Sequence, residues 1–142
     1  MAGADRSCLP EPGPVSTIRF PAVRFTRLSS GLAMRTVEHP GLPVVSFLLV
    51  MTAGSASDPV GQAGLAALTA DLLDEGSKHR TALELHAAID QIGGRFGTEV
   101  GPDATTVSLT TLSRSATEGL ALLAEIVGCP RFDKADVSRV LE

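Results

Sequence analysis

The sequence predicts an α+β fold, a two-layer sandwich in which helices cover a mainly antiparallel β-sheet. Apolar residues follow a period of two in some segments and the helical period in others, and these segments come in the order β-β-β-α-α-β-β-α-α. Strands and helices that are grouped rather than strictly alternating are typical of α+β domains. The chain has 142 residues, 44% of them hydrophobic, which is enough for one modest domain with its own core.

The first third of the domain contains three predicted strands. Residues 23–28 place apolar side chains near a period of two, and the turn signal Ser-Ser-Gly at residues 29–31 separates them from residues 32–38. This pattern predicts a β-hairpin. A second turn follows at residues 39–43. Residues 44–51 form an apolar run, which predicts a central strand covered on both faces.

Two helices are predicted next. The first spans residues 64–75, and Gly76 is expected to end it. Its apolar side chains recur at helical spacing: Leu65, Leu68, Leu72 and Leu73. The second begins at residues 81–84 (Thr-Ala-Leu-Glu), which match the capping-box pattern, and ends at Gly93-Gly94. Its expected buried residues are Leu85, Ile89 and Ile92.

The remaining sequence predicts two strands and two helices. Residues 95–100 and 104–112 are strands around a Gly-Pro-Asp turn. A second capping-box pattern at residues 115–118 predicts a helix that ends at Cys129-Pro130. This helix is expected to bury Leu120, Leu123 and Val127. Asp133 is expected to cap a last helix, which starts at Lys134.

Composition excludes several functional classes. The net charge is −4 with interspersed signs, which argues against partners such as nucleic acid or a membrane surface. Residues 1–22 contain four prolines and no apolar run of the length of a signal peptide or a transmembrane segment. We therefore expect a flexible Pro-rich leader at residues 1–22, a domain at residues 23–142 and a cytoplasmic location.

Several short segments of the domain appear in a characteristic order. They are S-G-L at 30–32, V-E-H-P at 37–40, L-P-V-V-S at 42–46, A-G-S at 53–55 with D-P at 58–59, G-Q-A-G-L-A at 61–66, I-G-G at 92–94 with D-A-T at 103–105, and P-R-F-D at 130–133. In order and spacing they resemble the amino-terminal domain of the insulinase, pitrilysin and mitochondrial processing peptidase family of zinc metallopeptidases. Because family domains are longer, the resemblance implies a partial domain that is incomplete at its C-terminus.

The resemblance also implies where the family's chemistry would lie. Its inverted zinc motif H-x-x-E-H supplies two zinc ligands and a Glu that activates the metal-bound water. The matching positions here are Ala67, Ala70 and Asp71, and the third zinc ligand would fall at or just past Glu142. Asp71 and Glu142 are therefore weak metal candidates. A catalytic zinc needs three protein ligands, so the sequence predicts no catalytic residue, no zinc and no other cofactor.

Other polar residues offer no replacement site. Asp74 and Glu75 lie near Asp71, and a cluster of carboxylates can bind a hard cation, but a solvated acidic helix end is the favoured interpretation. His79 and His86 are scattered and are interpreted as surface or hydrogen-bonded histidines.

Three hypotheses about function remain. The first is a non-catalytic homologue that contributes peptide-binding surface to an active peptidase subunit of the same family, or that associates with itself. The resemblance implies that a peptide substrate would bind as an added strand at a sheet edge. The second is a zinc-dependent metalloendopeptidase domain whose ligands or catalytic half lie elsewhere. The third is a truncated fragment without activity.

Overall fold

The structure is a computed structural model that describes residues 13–14 and 17–141. The chain divides into two compact units, Met1–Leu42 and Pro43–Glu142. Most of the predicted leader and the candidate ligand Glu142 lie outside the described residues. The first unit contains one antiparallel hairpin, β1 (Val23–Arg27) and β2 (Ala33–Val37), which confirms the predicted hairpin.

The second unit contains a three-stranded antiparallel sheet and four helices. In chain order these elements are β3 (Val44–Met51), α1 (Leu65–Asp71), α2 (Ala82–Gln91), β4 (Arg95–Val100), β5 (Thr105–Leu112), α3 (Ala116–Gly128) and α4 (Lys134–Leu141). The strands lie in the order β3-β5-β4. The predicted order of strands and helices is confirmed. None of the helices in the described residues is long and apolar enough to cross a membrane.

The core of this unit lies between the sheet and helices α2 and α3. Its buried residues are Leu73, Leu85, Ile89, Ile92, Val107, Leu109, Leu122, Leu123 and Ile126. Phe47, Met51 and Phe96 pack against them from the same face of the sheet. Burying one such side chain stabilises a fold by about 1.5–3 kcal/mol, so this single face supplies most of the unit's hydrophobic stabilisation. The α+β fold class is confirmed.

The prediction that β3 is a central strand covered on both faces is wrong. Within the described part of this unit, β3 lies at an edge of the sheet and pairs with β5 only. Its alternate residues Val44, Leu48 and Val50 are exposed, Leu48 at 66%. The helices of the unit cover only the opposite face, and an apolar run does not reveal how many faces will be covered.

Helix α1 is shorter than predicted, since it ends at Asp71 instead of residue 75. Beyond Asp71 the backbone forms tighter turns, because the N–H groups of Leu73 and Glu75 donate to the carbonyls three residues earlier in the chain, those of Ala70 and Leu72. Short turns with this 3₁₀ pattern are frequent at helix ends. Leu72 and Leu73 are buried and Leu68 is half-buried, but Leu65 is 41% exposed, so the apolar face predicted for this segment forms only in part.

Only one of the two predicted capping boxes forms. Thr81 and Glu84 cap α2 reciprocally: the N–H of Thr81 donates to Oε2 of Glu84 at 2.9 Å, and the N–H of Glu84 donates to Oγ1 of Thr81 at 3.3 Å. Ser115, by contrast, ends a short 3₁₀ turn with φ −103°, and its side chain makes no capping bond. Leu120 is 52% exposed rather than buried. The face of α3 that is buried instead consists of Gly119, Leu122, Leu123 and Ile126.

Candidate functional site

The start of α1 is positioned by a turn that lies tightly against the β4–β5 connection. The N–H of Ser55 donates to the carbonyl of Gly101 and that of Ala56 to the carbonyl of Pro102, both at 3.0 Å. A Cβ atom on Gly54 would lie 2.2 Å from the carbonyl oxygen of Gly101. Only a residue without a side chain permits this approach, which gives the Ala-Gly-Ser segment a structural role.

One carboxylate holds the first turn of α1. Oδ2 of Asp58 accepts the N–H of Gly64 at 2.8 Å, and Oδ1 accepts the N–H of Ala66 at 2.9 Å. The first N–H groups of a helix lack partners within the helix, and the residue at the N-cap position, Gly64, has no side chain to supply one. Asp58 therefore caps α1 from six residues upstream.

The three positions that match the zinc motif lie in different surroundings. Ala67 and Asp71 are exposed, whereas Ala70 is only 3% exposed. Asp71 makes no side-chain hydrogen bond or ion pair within the described residues. No group of three His, Cys, Asp or Glu side chains among residues 13–14 and 17–141 is arranged to hold a metal ion. Two methyl groups and one carboxylate do not fit a catalytic zinc, which needs three protein ligands.

An apolar groove of about 440 Å³ runs beside α1. Helix α1 lines it with Leu65, Ala66, Thr69 and Ala70, and other elements contribute Met51, Val127 and Phe132. The methyl group of Ala70 thus forms part of an apolar wall at the position where the family's water-activating Glu would stand. The groove has the apolar character of sites that accept uncharged side chains.

The carboxylates just after α1 have separate partners and form no common site. Oδ2 of Asp74 lies 3.6 Å from Nε2 of His86. Burial raises the pKa of Asp74 above its ordinary value, although the nearby His86 opposes that shift. Glu75 instead forms an ion pair with Arg139. The interpretation of this segment as a cation site therefore has no support from the geometry.

Ion pairs connect the end of α1 to α4. Besides its pair with Glu75, Arg139 lies 3.5 Å from Oδ1 of Asp136. Nη2 of Arg131 donates to Oδ2 of Asp136 at 2.6 Å and to the carbonyl of Glu75 at 3.2 Å. The hydrogen bond from Arg131 holds the pKa of Asp136 below its ordinary value. In this chain, charged side chains join Glu75, just after α1, to α4, and the resemblance would place zinc ligands on these two helices.

A second network, which sequence reasoning missed, joins the loop after α1 to α3. The buried hydroxyl of Ser77 donates to Oε1 of Glu125 at 2.5 Å and accepts the N–H groups of His79 and Arg80 at 3.0 and 2.9 Å. Arg80 also forms an ion pair with Glu125. Burial alone would raise the pKa of Glu125, but the bonds from Ser77 and Arg80 outweigh it and lower that pKa. No local pattern signals a contact across 48 residues.

Strand β4 leaves one row of backbone groups unpaired. Gly101 and Ala104 continue the β4–β5 register, and the N–H of Gly101 donates to the carbonyl of Ala104 at 2.9 Å. Because the backbone groups of alternate residues point to opposite sides of a strand, the odd-numbered residues of β4 face β5. Phe96, Thr98 and Val100 therefore direct their N–H and C=O groups outward. No other strand of this unit's described residues pairs with that edge, and α1 lies beside β4.

The sequence model of the family described as insulinase (peptidase family M16) matches residues 34–142. An uncharacterized zinc protease of Rickettsia bellii is 28% identical over 114 residues, which are 80% of this chain and 28% of the relative. A mitochondrial-processing peptidase subunit beta of Blastocladiella emersonii is 23% identical over 126 residues, 89% of this chain and 27% of the relative.

Solved structures include a similar domain. A peptidase M16 inactive domain from Pseudomonas fluorescens superimposes with a TM-score of 0.77 and 30% sequence identity, over 84% of this chain and 29% of that one. The present chain thus spans under a third of the length of the relatives that it matches.

Proposed function

Because the chain belongs to the insulinase family of peptidases (peptidase family M16), we propose that it is a non-catalytic member that contributes a peptide-binding surface to an active partner of the same family. The observation that carries the proposal is the identity of Ala67, Ala70 and Asp71 on α1. The domain matched in Pseudomonas fluorescens is itself described as inactive, which is compatible with this role.

The absence of catalysis follows from the chemistry of these three side chains. An alanine methyl group neither ligates a metal ion nor accepts a proton from water. The carboxylate of Asp71 is a single ligand on an exposed helix face, and a catalytic zinc requires three. We infer that α1 retains the shape of the family helix without its reactive groups.

The peptide-binding role rests on the outward edge of β4. An extended peptide can add to a free sheet edge as a further strand, and the edge supplies main-chain hydrogen bonds. Here the donors and acceptors are the outward backbone groups of Phe96, Thr98 and Val100.

Peptide binding without cleavage is the test. We expect a fluorescein-labelled Thr/Val-rich peptide to bind the purified chain and to remain intact. Thr98→Pro removes one outward N–H while sparing the groups that face β5, and it should weaken binding strongly. The matched control Thr98→Val keeps the amide and the branched shape, and it should bind like the original chain. Cleavage of the peptide, or equal binding by Thr98→Pro, would overturn the proposal.

The alternative is a zinc-dependent metalloendopeptidase whose remaining ligands or catalytic half lie elsewhere. It is favoured by the description of the Rickettsia bellii relative as a zinc protease, of which this chain covers 28%. Metal analysis of the purified chain separates the two. Stoichiometric zinc that is lost in Asp71→Ala, but not in the control Asp103→Ala at an exposed turn, would establish the alternative.

A further inference from the structure

We propose that two copies of this chain pair through the outward edge of β4 and form one continuous antiparallel sheet, with a twofold axis at Gly97. The partner is a second copy of the same strand, so the interface is self-complementary, as a twofold contact requires. The proposal uses the edge assigned above to peptide binding but does not depend on a peptide being bound there.

The backbone restricts how two β4 strands can meet. Only Phe96, Thr98 and Val100 direct N–H and C=O groups outward, so a hydrogen-bonded pair forms only where two of these residues face each other across the two copies. An axis at Gly97 forms two such pairs, because it places Phe96 of each copy opposite Thr98 of the other. Val100 then faces Gly94, whose N–H already donates to the carbonyl of Ile89. Gly97 lies at the centre, where it brings no side chain between the two strands.

Charge then selects among the allowed positions of the axis. Arg95 and Glu99 lie on the exposed face of the sheet, two residues to either side of Gly97. With the axis at Gly97, Arg95 of each copy lies directly opposite Glu99 of the other, which gives two ion pairs. An axis at Phe96 or at Thr98 leaves both of these charges opposite glycines. An axis at Glu99 places two carboxylates opposite each other.

The two ion pairs would lie at non-hydrogen-bonded positions, where facing Cα atoms are closer together than at hydrogen-bonded positions. Since the even-numbered residues form the hydrogen-bonded pairs, Arg95 and Glu99 form non-hydrogen-bonded pairs, in which the Cα atoms are only about 4.5 Å apart. Opposite charges at directly facing positions stabilise a strand pair, and like charges destabilise it. Charged residues on an edge strand usually prevent pairing, but on β4 their spacing allows it in one register.

Self-pairing and peptide addition exclude each other, because both use the outward groups of Phe96 and Thr98. A peptide must displace the second copy before it can add to the edge. We therefore expect the apparent affinity for a peptide to fall as the concentration of the chain rises.

Charge reversal tests the register. Sedimentation velocity of the 142-residue chain over a range of concentrations should show a monomer–dimer equilibrium. Arg95→Glu and Glu99→Arg each turn both ion pairs into like-charge pairs, and each should raise the dimer dissociation constant about tenfold. An equimolar mixture of these two variants restores opposite charges at every facing position. The mixture should form a heterodimer as tight as the original dimer, and so should the double variant R95E/E99R.

Arg114→Glu is the matched control, since it makes the same charge change on an exposed residue outside β4 and should leave the dissociation constant unchanged. Circular dichroism of each variant establishes that it is folded. A chain that stays monomeric at the highest soluble concentration would overturn the proposal, and so would a mixture no tighter than its components. Peptide binding tests the proposed function independently of the dimer, because Arg95→Glu retains every outward amide and should still bind the labelled peptide.

Discussion

Helix α1 and the loop of residues 76–81 are neighbours in the chain, but their side chains are constrained to very different degrees. On α1, Ala67 and Asp71 are exposed and make no side-chain hydrogen bond or ion pair within the described residues. In the loop, Ser77 is 2% exposed and its hydroxyl bonds to Glu125 and to two backbone N–H groups. The helix that resembles a catalytic element is the less constrained of the two.

This difference distinguishes the residues that position the family helix, here called its frame, from the residues at its zinc-motif positions. The turn at Gly54, the cap at Asp58 and the network around Ser77 hold α1 and the following loop in place. Ala67 and Asp71 contribute nothing comparable to the fold. Substitutions in the frame should therefore lower the free energy of unfolding, whereas substitutions on the exposed face of α1 should leave it nearly unchanged.

The largest effect is expected at Gly54. A Cβ atom there would meet backbone atoms of Gly101, Pro102 and Ala104, which cannot rotate away as a side chain can. Gly54→Ala should lower the free energy of unfolding by about 3 kcal/mol, the upper end of typical overpacking costs. Urea denaturation measures this. Gly128→Ala is the control, because its added methyl group meets no atom within 4 Å. Equal stability of the two variants would contradict the importance of the turn.

The next effect is expected at Ser77. Ser77→Ala removes the donor to Glu125 and the acceptor for the N–H groups of His79 and Arg80, and leaving buried polar groups unpaired costs about 1–3 kcal/mol. The shift of the urea midpoint tests this value. Ser138→Ala serves for comparison, since that hydroxyl bonds only to its own exposed helix, at the carbonyl of Lys134. If both serines respond alike, the loop is no more constrained than the surface.

Sequence reasoning succeeded where the determining contacts are local. The order of the elements follows from apolar periodicity, and the capping box at Thr81 involves residues only three apart. It failed where the burial of a side chain depends on packing against a second helix or strand. Leu120 points away from the sheet because Gly119 and its buried neighbours take that face of α3, and the exposure of Leu48 depends on where the helices pack.

The same division applies to the candidate site. The motif positions on α1 could be assigned from sequence because their spacing within one helix is fixed. The outward edge of β4 could not, because a strand becomes an edge only through the pairing of all other strands. The contact between Ser77 and Glu125 likewise requires α3 to pack beside the loop after α1.

Two carboxylates should give pH effects of opposite sign. Glu125 has a folded-state pKa below its ordinary 4.5, so its stabilisation is present above the unfolded pKa and is lost as the pH falls below about 4.5. Asp74 has a pKa raised above 3.8, so its contribution is full at acid pH and is lost as the pH rises through the folded pKa.

At neutral pH, Glu125→Gln should lower the free energy of unfolding by about 1 kcal/mol, a modest value because Arg80 is 39% exposed and its charge is screened. Asp74→Asn should raise stability slightly. Urea titrations of both variants at neutral and acid pH measure the difference. If the stability of both variants changes in the same direction at neutral pH, the assigned environments are wrong.

The smallest effect on stability is expected on the exposed face of α1, where chemistry can be added without disturbing the frame. Ala67→His with Asp71→His places two imidazoles one helical turn apart on one face, the spacing at which helix side chains meet. Because both positions are exposed, the double variant should change the free energy of unfolding by less than about 0.5 kcal/mol. Two ligands should nevertheless bind Zn²⁺ measurably, though more weakly than the three ligands of a catalytic site.

Isothermal titration with Zn²⁺ detects this gain, and the pair Ala67→His with Thr69→His is the control. Its imidazoles are two residues apart and point to different sides of the helix, so it should bind zinc no better than a single histidine. Tighter binding by the i, i+4 pair at unchanged stability would mean that α1 keeps the geometry of a ligand helix and lacks only the ligands. If the i, i+4 pair unfolds the chain, Ala67 and Asp71 belong to the frame after all, and the contrast between helix and loop is lost.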